Sequence, residues 1–264
     1  MIKKIGITGA SGLIGKILTK ILLKKKINFC LFKKDIRNSN DIKKWLKTNK
    51  DINIIFHLAA IVPIDKVNKN KNKSIAVNYK GTVNLYNSIN DLNRKVWFFF
   101  ASTSHVYKSQ EKPLKESDET KPISFYGKTK LMSENYLLKN KNKKIIICIG
   151  RIFSVFHKNQ ERPYFYPSMI YKFKDKKNTD NESFILHGGH SSRDFTKAEK
   201  IADIIIKLSK KKAKGIFNIA SGKKINLLEF VKKYINKDII IKAVGKSNMV
   251  VANIHKLKKL LILK

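Results

Sequence analysis

Five short, almost uninterrupted apolar runs divide the first 150 residues: KIGIT (4–8), NFCLF (28–32), INIIFHLAA (52–60), KVWFFFAS (95–102) and KIIICIG (144–150). The segments between them carry helical patterns. In residues 12–25, Leu13, Ile14, Ile17, Leu18, Ile21 and Leu22 recur at helical spacing; a polar helix is expected over 39–49 around Trp45, a third over 74–90, and a fourth from Tyr126. A strand that is apolar at every position has to be covered on both faces. Alternation of such strands with helices therefore predicts an α/β protein built on a doubly wound parallel sheet. After Arg151 the regularity falls and Phe, Tyr, Pro and Gly become more frequent, with helix patterns at 197–210 and 227–235 and short strands at 216–219 and 238–242. The expected division is a sheet domain over 1–152 and a small α/β lobe over 153–264, interleaved with the last strands and helices of the core.

The chain of 264 residues is long enough to bury a full core, and no apolar run reaches the length of a membrane span. Its start, MIKKIGITGASG, turns at glycine too early for a signal peptide. Cys30 and Cys148 both fall inside apolar runs, which predicts core cysteines, no disulfide framework, no metal site and a reducing cytoplasm. The net charge of +38 invites a nucleic-acid reading. Yet 52 of the 57 basic residues are lysines, spread over the whole chain with abundant Asn and Ile, as AT-rich codon usage produces. Base readout and bidentate phosphate grips favour arginine, so nucleic acid is not the expected partner, although the field draws in anionic small molecules.

Three stretches carry chemistry. Gly9-Ala10-Ser11-Gly12-Leu13-Ile14-Gly15 follows the first strand and opens the first helix, where glycines permit a tight turn and close approach of a pyrophosphate to a helix N-terminus. The second strand ends in Lys33-Lys34 with Arg37 nearby; a basic residue there suits the 2′-phosphate of NADP, whereas an acidic one would bind the NAD ribose. In SFYGKTKLMSE (124–134), Tyr126 and Lys130 lie four apart and share a helical face. They are either a surface pair or a phenol tuned for proton exchange by a neighbouring ammonium.

These motifs, with His57-Leu58-Ala59-Ala60, Ser102-Thr103-Ser104-His105-Val106-Tyr107, Arg151-Ile152-Phe153, Arg193-Asp194-Phe195 and Phe217-Asn218-Ile219-Ala220-Ser221-Gly222, occur in the order found in one family. The chain resembles the extended short-chain dehydrogenases/reductases, the NAD(P)-dependent nucleotide-sugar epimerases, dehydratases and reductases, over nearly its whole length. The resemblance implies a Rossmann-like fold with NADP or NAD as cofactor. Tyr126 is then the catalytic acid/base, and Lys130 the partner that lowers its pKa and meets the nicotinamide ribose. Thr103 is the hydroxyl on the reacting sugar oxygen, and Asn78 the helix asparagine near the active site. Gly9, Ser11, Gly12, Leu13, Ile14 and Gly15 become the pyrophosphate loop. Lys33, Asp35 and Ile36 stand beside the adenosine, Leu58, Ala59 and Ala60 line the cofactor channel, and Phe153 borders it. Ser104, His105, Ser154 and Arg193 fall on the substrate side, with Arg193 holding a phosphate. A homodimer through the helices at 74–90 and 126–139 is also implied.

Departures narrow the activity. Lys33 replaces the aspartate of NAD-using members, Ser104-His105 stands where 4,6-dehydratases carry Asp-Glu, Ser154 replaces an asparagine, and Lys108 a glycine. His105 is either the reaction-specific acid or base or a loop histidine. His187 and His190 are expected in a substrate loop. The leading expectation is reduction of a keto group on a nucleotide-activated sugar. The alternatives are an epimerase with tightly held NAD and a non-catalytic dinucleotide-binding or nucleic-acid-binding protein.

Overall fold

The computed structural model describes residues 4–62, 64–92, 94–174, 184–235 and 240–262. Its first part runs β1 (Lys4–Thr8), α1 (Leu13–Lys24), β2 (Phe29–Phe32), α2 (Ser39–Thr48), β3 (Ile52–His57), α3 (Ile64–Lys69), α4 (Lys71–Ile75), α5 (Gly81–Asn90), β4 (Val96–Thr103), α6 (Phe125–Lys139) and β5 (Ile145–Ile152). The remainder runs β6 (Ser154–Phe156), α7 (Phe165–Lys174), β7 (Phe184–His187), β8 (Ser192–Arg193), β9 (Phe195–Lys197), α8 (Ala198–Lys210), β10 (Gly215–Ile219), β11 (Ile225–Asn226), α9 (Leu227–Tyr234), β12 (Ile241–Val244), β13 (Met249–Val250) and α10 (His255–Leu261).

Six strands form one parallel sheet in the order β10-β5-β4-β3-β1-β2. The apolar runs are explained by its two covered faces. Trp97 and Phe99 point into a core with Ile5, Ile7, Leu18, Leu22 and Ile205, while Phe98 and Phe100 point into another with Ile42, Leu46, Leu85 and Leu137. The strand expected at 216–219 proves to be β10, the outer strand of this sheet beside β5. Strand order reverses between β1 and β3, and in such sheets ligands bind beyond the carboxyl ends of the strands at that point.

Two sequence expectations needed revision. The helix expected over 74–90 is interrupted by a π-helical turn, Ala76–Lys80, between α4 and α5. The strand expected at 238–242 appears as Ile241–Val244, and residues 236–239 lie outside the described residues. Beyond β5, the aromatic residues that broke the sequence pattern build a core of their own. Phe195 stacks on Phe230 at 3.9 Å and Phe156 meets Phe230 edge-on at 5.4 Å.

Candidate active site

A cleft of about 780 Å³ opens at the switch point. Gly9, Ser11, Gly12, Leu13, Ile14, Gly15, Leu58 and Ala60 line one part of it, and Thr103, Ser104, His105, Tyr126, Lys130, Phe153, Ser154 and Arg193 the other. The glycines differ in what requires them. Gly9 has φ +72°, and a Cβ there would lie 2.4 Å from the Ala59 nitrogen; one at Gly15 would lie 2.5 Å from the Gly9 carbonyl oxygen. A Cβ at Gly12 would meet only the Gly9 oxygen, at 3.4 Å, so packing does not demand this glycine. The α1 N-terminus also has no side-chain cap, whereas Asn38, Ser124 and Asn226 cap α2, α6 and α9. A bare, uncapped helix start in a cleft fits a pyrophosphate accepting its N–H groups.

Ser124 starts α6 by accepting the Gly127 N–H at 3.0 Å, which puts Tyr126 in the first turn and Lys130 one turn on. Gly127 is needed for contact: a Cβ there would stand 2.3 Å from the His105 carbonyl oxygen. The turn after β4 thus packs directly on α6. Thr103 and Tyr126 line the cleft together, and the Thr103 hydroxyl is near enough to favour ionisation of the phenol. The Lys130 ammonium lies 4.2 Å from the centroid of the Phe100 ring.

The expected lowering of the Tyr126 pKa does not appear. Burial raises it, nearby Tyr164 adds to the rise, and only the Thr103 hydroxyl opposes them. Burial also pulls Lys130 down to about 7, with Glu134 acting in the opposite sense. His105 opens to solvent, but its ring packs edge-on against Tyr126, 5.9 Å between centroids. Burial of its inner side and then the Arg193 charge lower its pKa. Arg193 is held by the carbonyls of Ser192 at 2.9 Å and Asn248 at 3.3 Å.

Asn78, expected near the active site, stands just behind the cleft lining, bonded to Thr129 beside Lys130. Both ends of its amide are engaged: Oδ1 accepts the Ile61 N–H at 2.7 Å, and Nδ2 donates to the Ile61 carbonyl at 3.0 Å and to Thr129 at 3.2 Å. His57 continues this brace. The Thr82 hydroxyl donates to the Asn78 carbonyl at 2.7 Å, so it must accept from His57 Nε2 at 2.9 Å. The proton is therefore on Nε2, and Nδ1 accepts from the Thr8 hydroxyl at 2.7 Å. Burial, then the Lys130 charge, brings the His57 pKa to about 3.

Other expected residues fall outside the cleft lining. Lys33 and Asp35 are exposed at the end of β2, and Arg37 grips the Asp35 carboxylate, with Nη2 at 2.6 Å. Ile36, expected beside an adenine, is buried in the core against Gly81. Ala59 packs behind Gly9, and His187 and His190 are exposed away from the cleft.

Residues 5–220 match the NAD dependent epimerase/dehydratase family. The protein belongs to this family. It is 33% identical over 228 residues to the GDP-6-deoxy-D-talose 4-dehydrogenase of Aggregatibacter actinomycetemcomitans, covering 83% of this chain and 74% of that one. The UDP-glucuronic acid 4-epimerase of Bacillus cereus, solved with UDP-glucuronic acid and NAD, superposes with a TM-score of 0.83 at 25% identity, covering 99% of this chain and 93% of the other. RMD from Pseudomonas aeruginosa, complexed with NADPH, shares the fold with a TM-score of 0.85 at 17% identity, over 99% and 93% of the two chains.

For an epimerase/dehydratase family member, the structure adds cleft residues that the motifs do not name. Tyr164 and Gln160 line the cleft, and the Gln160 Oε1 has no hydrogen-bond partner among the described residues. Neither follows a periodic pattern that sequence reading could use. Glu134 is buried directly beneath Lys130 in the sequence of α6, where four-residue spacing was a signal available all along. Among the described residues no helix is long and apolar enough to cross a membrane, and no group of three or more His, Cys, Asp or Glu is placed to hold a metal ion.

Proposed function

We propose that the protein is an NAD(P)-dependent oxidoreductase that reduces a keto group of a nucleotide-activated sugar. The observation that carries this reading is the grouping of Thr103, Tyr126 and Lys130 in the cleft that begins at the glycine loop. The dinucleotide, when bound, supplies hydride to the carbonyl carbon. Gly9, Gly12 and the α1 N-terminus bind its pyrophosphate, Leu58 and Ala60 flank it, and Phe153 closes one side. Tyr126 donates its phenolic proton to the carbonyl oxygen, which the Thr103 hydroxyl orients. Lys130 compensates the negative charge that develops on the tyrosine. Arg193 and Ser154 sit where the substrate's nucleotide part enters, and Arg193 suits a phosphate. His105 beside Tyr126 is placed to exchange a proton on the neighbouring carbon.

NADP is the preferred cofactor in this reading, because Lys33 and Arg37 present positive charge at the end of β2. The likeness to the NAD-bound Bacillus cereus epimerase supports a second reading, epimerisation with retained NAD. Residues 1–152 carry the cofactor part, and 153–264 the substrate part interleaved with the last strand and helices of the sheet domain, β10 and α8 among them. Pairing of two copies through α5 and α6, on which Met132 is 40% exposed, belongs to the same reading and is tested by sedimentation equilibrium.

Native mass spectrometry of the freshly purified protein, followed by turnover of a nucleoside-diphosphate keto-deoxyhexose with NADPH and NADH, tests the proposal. Loosely held NADP(H) and loss of the ketone matched by dinucleotide oxidation are expected. Near-stoichiometric retained NAD would favour the epimerase, and failure to bind either dinucleotide would overturn both.

A further inference from the structure

Helix α6 carries Tyr126, Lys130 and Glu134 one turn apart. Glu134 is 1% exposed and held from two strands at once. The Ser102 hydroxyl donates to Oε1, Arg151 Nε lies 3.2 Å from both carboxylate oxygens, and Arg151 Nη2 donates to Oε2 at 2.7 Å. Arg151 is itself 3% exposed, donates through Nη1 to the Glu116 carbonyl at 3.2 Å, and lies over the Tyr107 ring at 4.6 Å. Ser102 pairs with Arg151 across the β4–β5 ladder, and Thr103 is the next residue along β4. The carboxylate therefore joins the helix bearing Tyr126 and Lys130 to the strand end bearing Thr103.

Burying such a pair is a poor way to gain stability, because the desolvation of both charges offsets their attraction, and apolar replacements of similar volume are often neutral. Orientation and local charge give it a purpose that an apolar contact would not. Facing Lys130 are Tyr126 and Glu134 from its own helix, His57 from β3 and the Phe100 ring from β4. His57 is neutral at pH 7, and the Tyr126 phenol is protonated there. Glu134 is the one carboxylate among these groups, and Arg151 from β5 shares it.

We infer that Glu134 is a positioning residue of the active site: clamped by Ser102 and Arg151, it fixes α6 against the end of β4 and holds a carboxylate one helical turn from the Lys130 ammonium. The inference rests on the proposed function only in giving that ammonium a task. Burial lowers the Lys130 pKa and Glu134 raises it, so removing the carboxylate leaves burial, joined by the unpaired Arg151 guanidinium, opposed by the Phe100 ring.

A carbon-13 NMR titration of the Lys130 Cε, assigned with Lys130→Met, tests this without any ligand or turnover. Glu134→Gln keeps the shape of the side chain but removes its charge. The double variant Glu134→Gln/Arg151→Met also removes the unpaired guanidinium, guarding against a fold lost for that reason. In Glu134→Gln the Lys130 midpoint is expected to fall by about one to three pH units, in the double variant, where the paired charges leave together, by less, whereas Glu134→Asp keeps it near the wild-type value. A folded Glu134→Gln or double variant with an unchanged midpoint overturns the inference. In the active enzyme, the alkaline limb of kcat is expected to move to lower pH by the same amount, with the sugar KM little changed. If the midpoint moves but no keto-sugar is turned over by the wild-type protein, the proposed function fails and the role of Glu134 stands.

Discussion

At the Tyr126 end of the cleft, the buried side chains of Asn78, His57 and Glu134 are each tied to other elements. Asn78 spans from the π-helical turn to Ile61 and Thr129, His57 links Thr8 to Thr82, and Glu134 joins α6 to β4 and β5. At the β2 end, Lys33 is exposed and the Asp35–Arg37 pair stands in solvent. Buried hydrogen bonds hold their geometry because breaking one leaves a desolvated polar group, whereas an exposed ion pair exchanges freely with water. In the proposed reading the contrast separates chemistry from selectivity: the groups proposed to react sit on a braced wall, and the residues proposed to read the ribose sit on an exposed rim.

Removing the hydroxyl proposed to react should produce the largest effect. Tyr126→Phe is expected to lower turnover by about 10²- to 10⁴-fold while dinucleotide binding, followed by fluorescence titration, persists. Unchanged turnover would remove Tyr126 from the reaction and undo the distinction between the two ends.

Next in size is the packing of the braced wall. Gly127→Ala puts a methyl group 2.3 Å from the His105 carbonyl oxygen, so α6 or the turn after β4 has to move. A loss of about 1–3 kcal/mol in urea unfolding, together with reduced turnover, is expected. A variant as stable and as active as wild type would mean that this contact does not hold Thr103 against Tyr126.

The His57 brace should be visible in the pH dependence of stability. Its pKa is about 3 in the folded protein against 6.5 unperturbed, so between those values the unfolded chain binds a proton that the folded chain does not. Stability attributable to His57 is full above pH 6.5 and is lost as pH falls towards 3, by about 1.4 kcal/mol per pH unit in the middle of that window. Urea unfolding across this range should therefore fall more steeply for wild type than for His57→Gln; parallel curves would mean that the histidine is protonated in place.

The smallest effect belongs to the exposed rim. Lys33→Ala and Arg37→Ala are each expected to reduce the preference for NADPH over NADH by about two- to fivefold, as suits solvent-screened charges. No change in either would make both lysine and arginine incidental and sharpen the contrast further.

Much of this arrangement was legible before any coordinates. The strands were readable because burial on both faces leaves an unbroken apolar run, as in KVWFFFAS, and the glycine loop because a positive φ at Gly9 and the close approach at Gly15 exclude side chains. The shared helical face of Tyr126 and Lys130 likewise followed from local helix rules. For Ile36 and Asn78 a motif gave the neighbours in the chain, and only the fold shows where their side chains are engaged, in the core and on Ile61.

The sequence by itself determined the order of strands and helices, the glycine turn and the facing pair on α6, since each depends on contacts within a few residues. Tertiary structure alone decided that Glu134 meets Arg151 and Ser102, that His57 carries its proton on Nε2, and that Lys130 is pulled towards neutrality. Those outcomes depend on desolvation and on partners 17 to 32 residues away or more, quantities that no local pattern of residues contains.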